Sequence, residues 1–149
     1  MKPKYFLIIV LAMIVVGYFG RSLLNADHKI PEANAGLDTA TMLMVYLQSH
    51  NDRWPASWDD LLTVVDAIPG KELTLRGAPT NTLPYAQTLK TMVAINWAFD
   101  PSHPDASIPL TRVDGSPLPV VWSGADPNLL IRDFLKHEAT TRAIAATQP

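Results

Sequence analysis

The chain has 149 residues, no cysteine, four histidines and a formal net charge of −2. Without cysteine it has no disulfide framework, no thiolate chemistry and no lipid-bearing residue of the lipoprotein type. Three of the twelve Lys/Arg precede Leu24, leaving nine against fourteen Asp/Glu beyond it. That mildly acidic remainder lacks the basic cluster that nucleic acid or anionic lipid requires of a partner.

The first element is the apolar run Tyr5–Gly20, sixteen residues without a charge, between Lys2 and Lys4 on one side and Arg21 on the other. A bilayer core takes roughly 17–25 apolar residues, and Leu23 and Leu24 extend the run if Arg21 snorkels. Residues 1–24 are therefore expected to be a cytoplasmic stub and an uncleaved transmembrane signal anchor. By the positive-inside rule the N-terminus is cytoplasmic and the rest extracytoplasmic, a single-pass inner- or plasma-membrane protein facing the periplasm. Two rival readings are a cleaved secretory signal and a buried core helix. The clearest small-x-small site, Ala33-Asn34-Ala35, lies far beyond the run.

Residues 25–35 read as a polar linker broken or kinked at Pro31, 36–139 as one α+β domain, and 140–149 as a flexible tail. A helix is expected from Glu32 to His50, with Leu37, Ala40, Leu43, Met44 and Leu47 at helical spacing. Ser49-His50-Asn51-Asp52 ends it. Ser57 is a good N-cap for a short helix in which Trp58, Leu61, Leu62 and Val65 form a stripe and Asp59 and Asp60 favour the dipole. Trp54 and Trp58 are read as sealing the two helices together, with a ligand platform as the alternative.

Lys71–Arg76 is a candidate edge strand. Thr91–Phe99 is the clearest strand, alternating Val93, Ile95, Trp97 and Phe99 with smaller residues. Ile108–Val113 and Leu118–Trp122 are candidate strands joined by Asp114-Gly115-Ser116-Pro117, a strong hairpin signal weakened by Pro109, Pro117 and Pro119. Asp126-Pro127 starts a last helix running to about Ala139, with Leu130, Ile131, Phe134 and Leu135 on one side. The expected fold is α+β: an N-terminal membrane helix, then helices packed on a sheet of three or four mostly antiparallel strands, and a C-terminal helix.

Chemistry-bearing motifs are sparse. The histidines His28, His50, His103 and His137 form no close pair, and there is no nucleophile elbow or phosphate loop. The candidate metal set is Asp100, His103 and Asp105, with Asp114. Oxygen donors at such spacing can hold calcium, and solvated loop acids are the alternative. No other cofactor is expected.

The stretch Tyr46–Pro55, with its helix-ending tyrosine, polar turn and Trp54-Pro55 pair, resembles the corresponding segment of type II secretion pseudopilins and type IV pilin-like proteins. The short helix after it matches their order of elements. The run Tyr5–Gly20 has neither the glycine of a prepilin cleavage site nor the glutamate of a fibre subunit. The resemblance thus implies a pilin-like domain on a plain anchor. It implies a non-enzymatic protein acting through envelope protein partners, in secretion or pilus-like assembly, and a calcium loop near the C-terminus. Tyr46, Trp54 and Trp58 are its aromatic marks. An assembly subunit needs an exposed apolar stripe on the Glu32–His50 helix. A secreted binding module would instead expose a Trp54–Trp58 platform. A small membrane-anchored hydrolase or metal-dependent enzyme would bring His103 or His50 to Asp100, Asp105 or a serine.

Overall fold

The structure, a computed structural model, describes residues 29–67, 83–121 and 125–147. Residues 29–49 form one helix, α1, around which the core is assembled. Its Ala, Leu and Met content favours the helix, and apolar residues recur on more than one face. Ala35, Ala40, Met42, Leu43 and Leu47 are all buried. Burying a leucine of this kind is worth about 1.5–3 kcal/mol. Among the described residues Thr39 is the one buried polar side chain in this core, and its hydroxyl donates to the Ala35 carbonyl at 2.8 Å.

The helix stops where the chain turns left-handed, at Asn51 (φ 52°) and Asp52 (φ 56°). The Asp52 N–H reaches back to the Leu47 carbonyl at 2.9 Å, satisfying a carbonyl of the last turn. Helix α2 (Trp58–Leu62) begins at Ser57, whose hydroxyl accepts the Asp60 N–H, while the Asp60 carboxylate accepts the Ala56 N–H. A 3-10 turn follows at Val65–Ala67. Helix α3 (Leu83–Leu89) buries Ala86 and Leu89. Its Tyr85 hydroxyl donates to the Asp38 carboxylate of α1 at 3.1 Å. Burial and that carboxylate both push the Tyr85 phenol well above its ordinary value, so it remains a donor.

Strands β1 (Val93–Ile95) and β2 (Leu110–Arg112) pair antiparallel, Val93 opposite Arg112 and Ile95 opposite Leu110. After β2 the chain turns at Gly115 (φ 81°), with Gly115 N–H to Arg112 O and Arg112 N–H to Ser116 O, both 2.9 Å. Helix α4 (Pro127–Thr147) starts from Asp126, whose carboxylate accepts the Asn128 N–H at 2.9 Å. Ile131 and Leu135 turn inward to the core.

Several expectations are corrected. The sheet has two described strands, not three or four. The Asp114-Gly115 turn forms, but residues 118–121 are not a strand. Pro117 and Pro119 have no N–H for a ladder, and Leu118 packs on Gly36 of α1 instead. The strand expected over Thr91–Phe99 shortens to Val93–Ile95, although Phe99 keeps its buried side. Helix α3 was not expected. Residues 29–35 and the chain beyond Ala139 are helical.

Among the described residues no helix is long and apolar enough to cross a membrane. Helix α4 carries Arg132, Asp133, Lys136, Glu138 and Arg142, and α1 carries Lys29, Glu32 and Asp38; such charges exclude a lipid-spanning role. The expected fold class is thereby replaced by a small α+β arrangement with, among the described residues, four α-helices and one two-stranded sheet. The transmembrane, signal-anchor, single-pass and periplasmic assignments are withdrawn with it. The run Tyr5–Gly20 and the candidate strand Lys71–Arg76 lie outside the described residues.

Candidate functional site

The segment after β1 folds into two successive turns, His103 N–H to Asp100 O (3.1 Å) and Ala106 N–H to His103 O (3.0 Å). Asp100 organises the first. One carboxylate oxygen accepts from the Ser102 hydroxyl and N–H at 2.6 and 2.9 Å, and the other lies 2.8 Å from His103 Nδ1. The Ser102 hydroxyl, then His103, hold the Asp100 carboxyl down at about 2. Ser102 Oγ also lies 3.0 Å from that same Nδ1. A serine nucleophile is activated when serine and carboxylate occupy opposite ring nitrogens. Here both meet Nδ1, so the cluster closes a loop and is not a Ser-His-carboxylate relay.

The four metal candidates do not converge. Asp105 pairs with Lys136 of α4 at 2.9 Å. Asp114 sits in the turn after β2, where the Ser116 hydroxyl and N–H hold its carboxyl below the usual range and Arg112 stands 3.6 Å away. Among the described residues no three His, Asp or Glu side chains are gathered to hold a metal ion. The Asp100–Asp105 loop and α4 enclose a cleft of about 680 Å³. Two ion pairs tie its walls, Asp105–Lys136 and Asp52–Arg142. Its charges are therefore compensated within the fold.

Trp54 and Trp58 are partly buried and pack against the core. Trp54 packs on Phe99 with ring centres 4.6 Å apart and donates its indole N–H to the Asn96 carbonyl at 2.9 Å. Trp58 meets Trp97 edge-on at 6.0 Å. Both tryptophans thus close the end of β1 and offer no open platform. Tyr46 is buried and stacked on His50 at 3.9 Å, and His50 Nδ1 turns back to the Tyr46 carbonyl and Ser49 Oγ. No acid stands among those contacts.

The large apolar side chains left in solvent are concentrated elsewhere. Six of the nine among the described residues, Val113 (59 % exposed), Ile108 (54 %), Val120 (52 %), Leu129 (51 %), Val121 (41 %) and Leu130 (36 %), fall between Ile108, just before β2, and the first turn of α4. Contacts bring these stretches together. Leu118 and Pro127 both pack at Gly36, where an added Cβ would meet them at 3.0 and 3.2 Å. Asn128 holds both the N–H and the C=O of Leu110, at 2.8 and 3.1 Å, and Arg132 donates to Ser107 O at 3.0 Å. Arg112 pairs with Glu32 of α1 at 2.7 Å. The six residues lie within three sequence positions of these contacts, which tie the segments on either side of β2 to α1 and to the first turns of α4; together they are termed the apolar collar.

Sequence reasoning missed this collar. One signal was available: Leu129-Leu130-Ile131 are consecutive, and a helix cannot turn three successive residues to one core face. No family model matches the chain, and no match is found among curated proteins or solved structures.

Proposed function

We propose that this chain is a non-enzymatic interaction domain that docks a protein partner through the apolar collar. The observation carrying this reading is the concentration of half-exposed Val, Ile and Leu between Ile108 and Leu130. Exposed apolar side chains gathered in one region mark an interaction site, whereas scattered single residues do not. The order of elements from α1 through the Tyr46–Pro55 turn to α2 supports kinship in design with the pilin-like domains. The docking face nonetheless differs from the one expected for such a subunit. Helix α1 buries Ala33, Ala35, Thr39, Met42, Leu43, Tyr46 and Leu47, so the apolar stripe anticipated there faces the core.

The experiment is site-specific photo-crosslinking in cells from a photoreactive residue at Leu129, with Asp133 as a control position on the same helix. A discrete protein adduct at Leu129 that vanishes in Val120→Lys/Val121→Lys is the expected result. Absence of any adduct at Leu129, Val120 and Ile108 would overturn the reading.

A further inference from the structure

We propose that the distal half of α4, Lys136–Thr147, is an electrostatic strap: two ion pairs latch it across the cleft, and raised ionic strength releases it while the first turns of the helix stay docked. The strap carries none of the six collar residues, so this device goes beyond the docking function and does not depend on it.

Burial divides the helix. Pro127, Ile131 and Leu135 recur every fourth residue and are buried, which anchors the proximal half in the core. From Lys136 to Ala145 no side chain is buried; Glu138 is half-buried and the others are exposed. Thr140 and Thr141 are weak helix formers, and isolated helices shorter than about 12–15 residues are marginal in water. Polar contacts must therefore hold this half in place.

Charge supplies them. Lys136 Nζ stands 2.9 Å from Asp105, and Arg142 pairs with Asp52. The two cations lie about 9 Å apart along the helix axis. Their acids belong to separate segments, the loop after β1 and the turn after α1. The cleft of about 680 Å³ opens there, with Pro101 and Pro104 in one wall and Ala139 and Thr140 in the other. The strap is tied at two points across a gap instead of being packed against it.

The two latches differ. The Asp52 side chain is 18 % exposed, and it stands just past the C-terminal end of α1, where the helix dipole disfavours an acid. Its backbone is fixed in the left-handed region, with its N–H on the Leu47 carbonyl. Arg142 brings the counter-charge that this position needs. The Lys136–Asp105 pair is open to solvent on both sides, so salt screens it first. One helix joins the two cations, so loss of one pair loosens the other.

Amide hydrogen exchange of the full chain tests the strap between about 0.1 M and about 1 M sodium chloride, where the Debye length falls from about 10 Å to about 3 Å. Amides of residues 140–147 should exchange about fivefold faster at high salt, measured relative to residues 131–135. Asp52→Asn with Asp105→Asn removes both latches from the opposite wall and leaves the helix sequence intact; asparagine also tolerates the left-handed backbone at position 52. In that variant the strap should exchange about fivefold faster already at low salt, and added salt should have no further effect. Far-ultraviolet circular dichroism and the exchange of residues 39–47 report that the fold is kept. Should the double variant fail to fold, the salt response of the unaltered chain decides alone. Three results would overturn the inference: strap exchange in the unaltered chain that ignores salt, a folded double variant as protected at low salt as the unaltered chain, or residues 131–147 responding as one unit.

Discussion

The indole N–H of Trp54 donates to the carbonyl of Asn96 at 2.9 Å, and Pro109 is the reason it is needed there. Asn96 N–H donates to Pro109 O at 2.9 Å, which continues the β1–β2 register one step beyond Ile95 and Leu110. A paired residue at Pro109 would return an N–H to Asn96, but proline has none. Trp54 supplies the missing donor. Trp54→Phe keeps the Phe99 contact and leaves the carbonyl unserved, at a cost of about 1–3 kcal/mol. In a Pro109→Ala background the same substitution should cost less, because Ala at that position brings an N–H. Urea unfolding of the four proteins in this cycle checks it; equal costs in both backgrounds would dismiss the link.

Gly36 lies in α1 where a Cβ would come within 3.0 Å of Leu118 and 3.2 Å of Pro127. An exposed helical glycine gains stability on replacement, but here overpacking dominates, and such strain costs about 1–3 kcal/mol. Gly36→Val should lower the melting temperature, whereas Gly36→Val with Leu118→Ala should recover part of the loss. Thermal denaturation by circular dichroism decides between them.

Asn128 presents its side-chain oxygen to Leu110 N–H and its amide to Leu110 O, acting as a neighbouring strand along the outer edge of β2. Asn128→Asp retains the acceptor and removes the donor, placing a carboxylate against the Leu110 carbonyl. Hydrogen exchange at the Leu110 amide should accelerate, and stability should fall by about 1–3 kcal/mol. Unchanged exchange at Leu110 would show that the side chain does not guard the edge.

The Asp100 carboxyl is held at about 2 by Ser102 and His103, against an ordinary value of 3.8. A depressed carboxyl contributes to folding above its unfolded value and loses that contribution as pH falls through its folded one. The Asp100–His103 loop should therefore stay ordered down to pH about 3.8 and loosen towards pH 2. Carboxyl-carbon NMR should place the midpoint near 2, and Ser102→Ala should move it up towards 3.8. A wild-type midpoint at 3.8 would contradict the hydrogen-bond arrangement.

Local rules made much of this chain legible. Helical spacing placed most of α1, the Ser57 cap placed α2, the Asp126-Pro127 start placed α4, and Asp114-Gly115 placed the turn after β2. Each is set by contacts within a few residues, so the signal is written where the structure forms. The candidate site was hardly legible. Asp100, His103, Asp105 and Asp114 are near in sequence, yet the fold gives Asp105 to Lys136 and Asp114 to Arg112 and Ser116. What the sequence by itself determined is three of the four described helices (α1, α2 and α4), the absence of thiol chemistry and the uncharged run before Arg21. Tertiary structure alone decided that Pro109 opposes Asn96, that the tryptophans close the end of β1, and that Leu129 and Leu130 remain in solvent. Those outcomes depend on partners distant in sequence, whose competition for one small core no local pattern records.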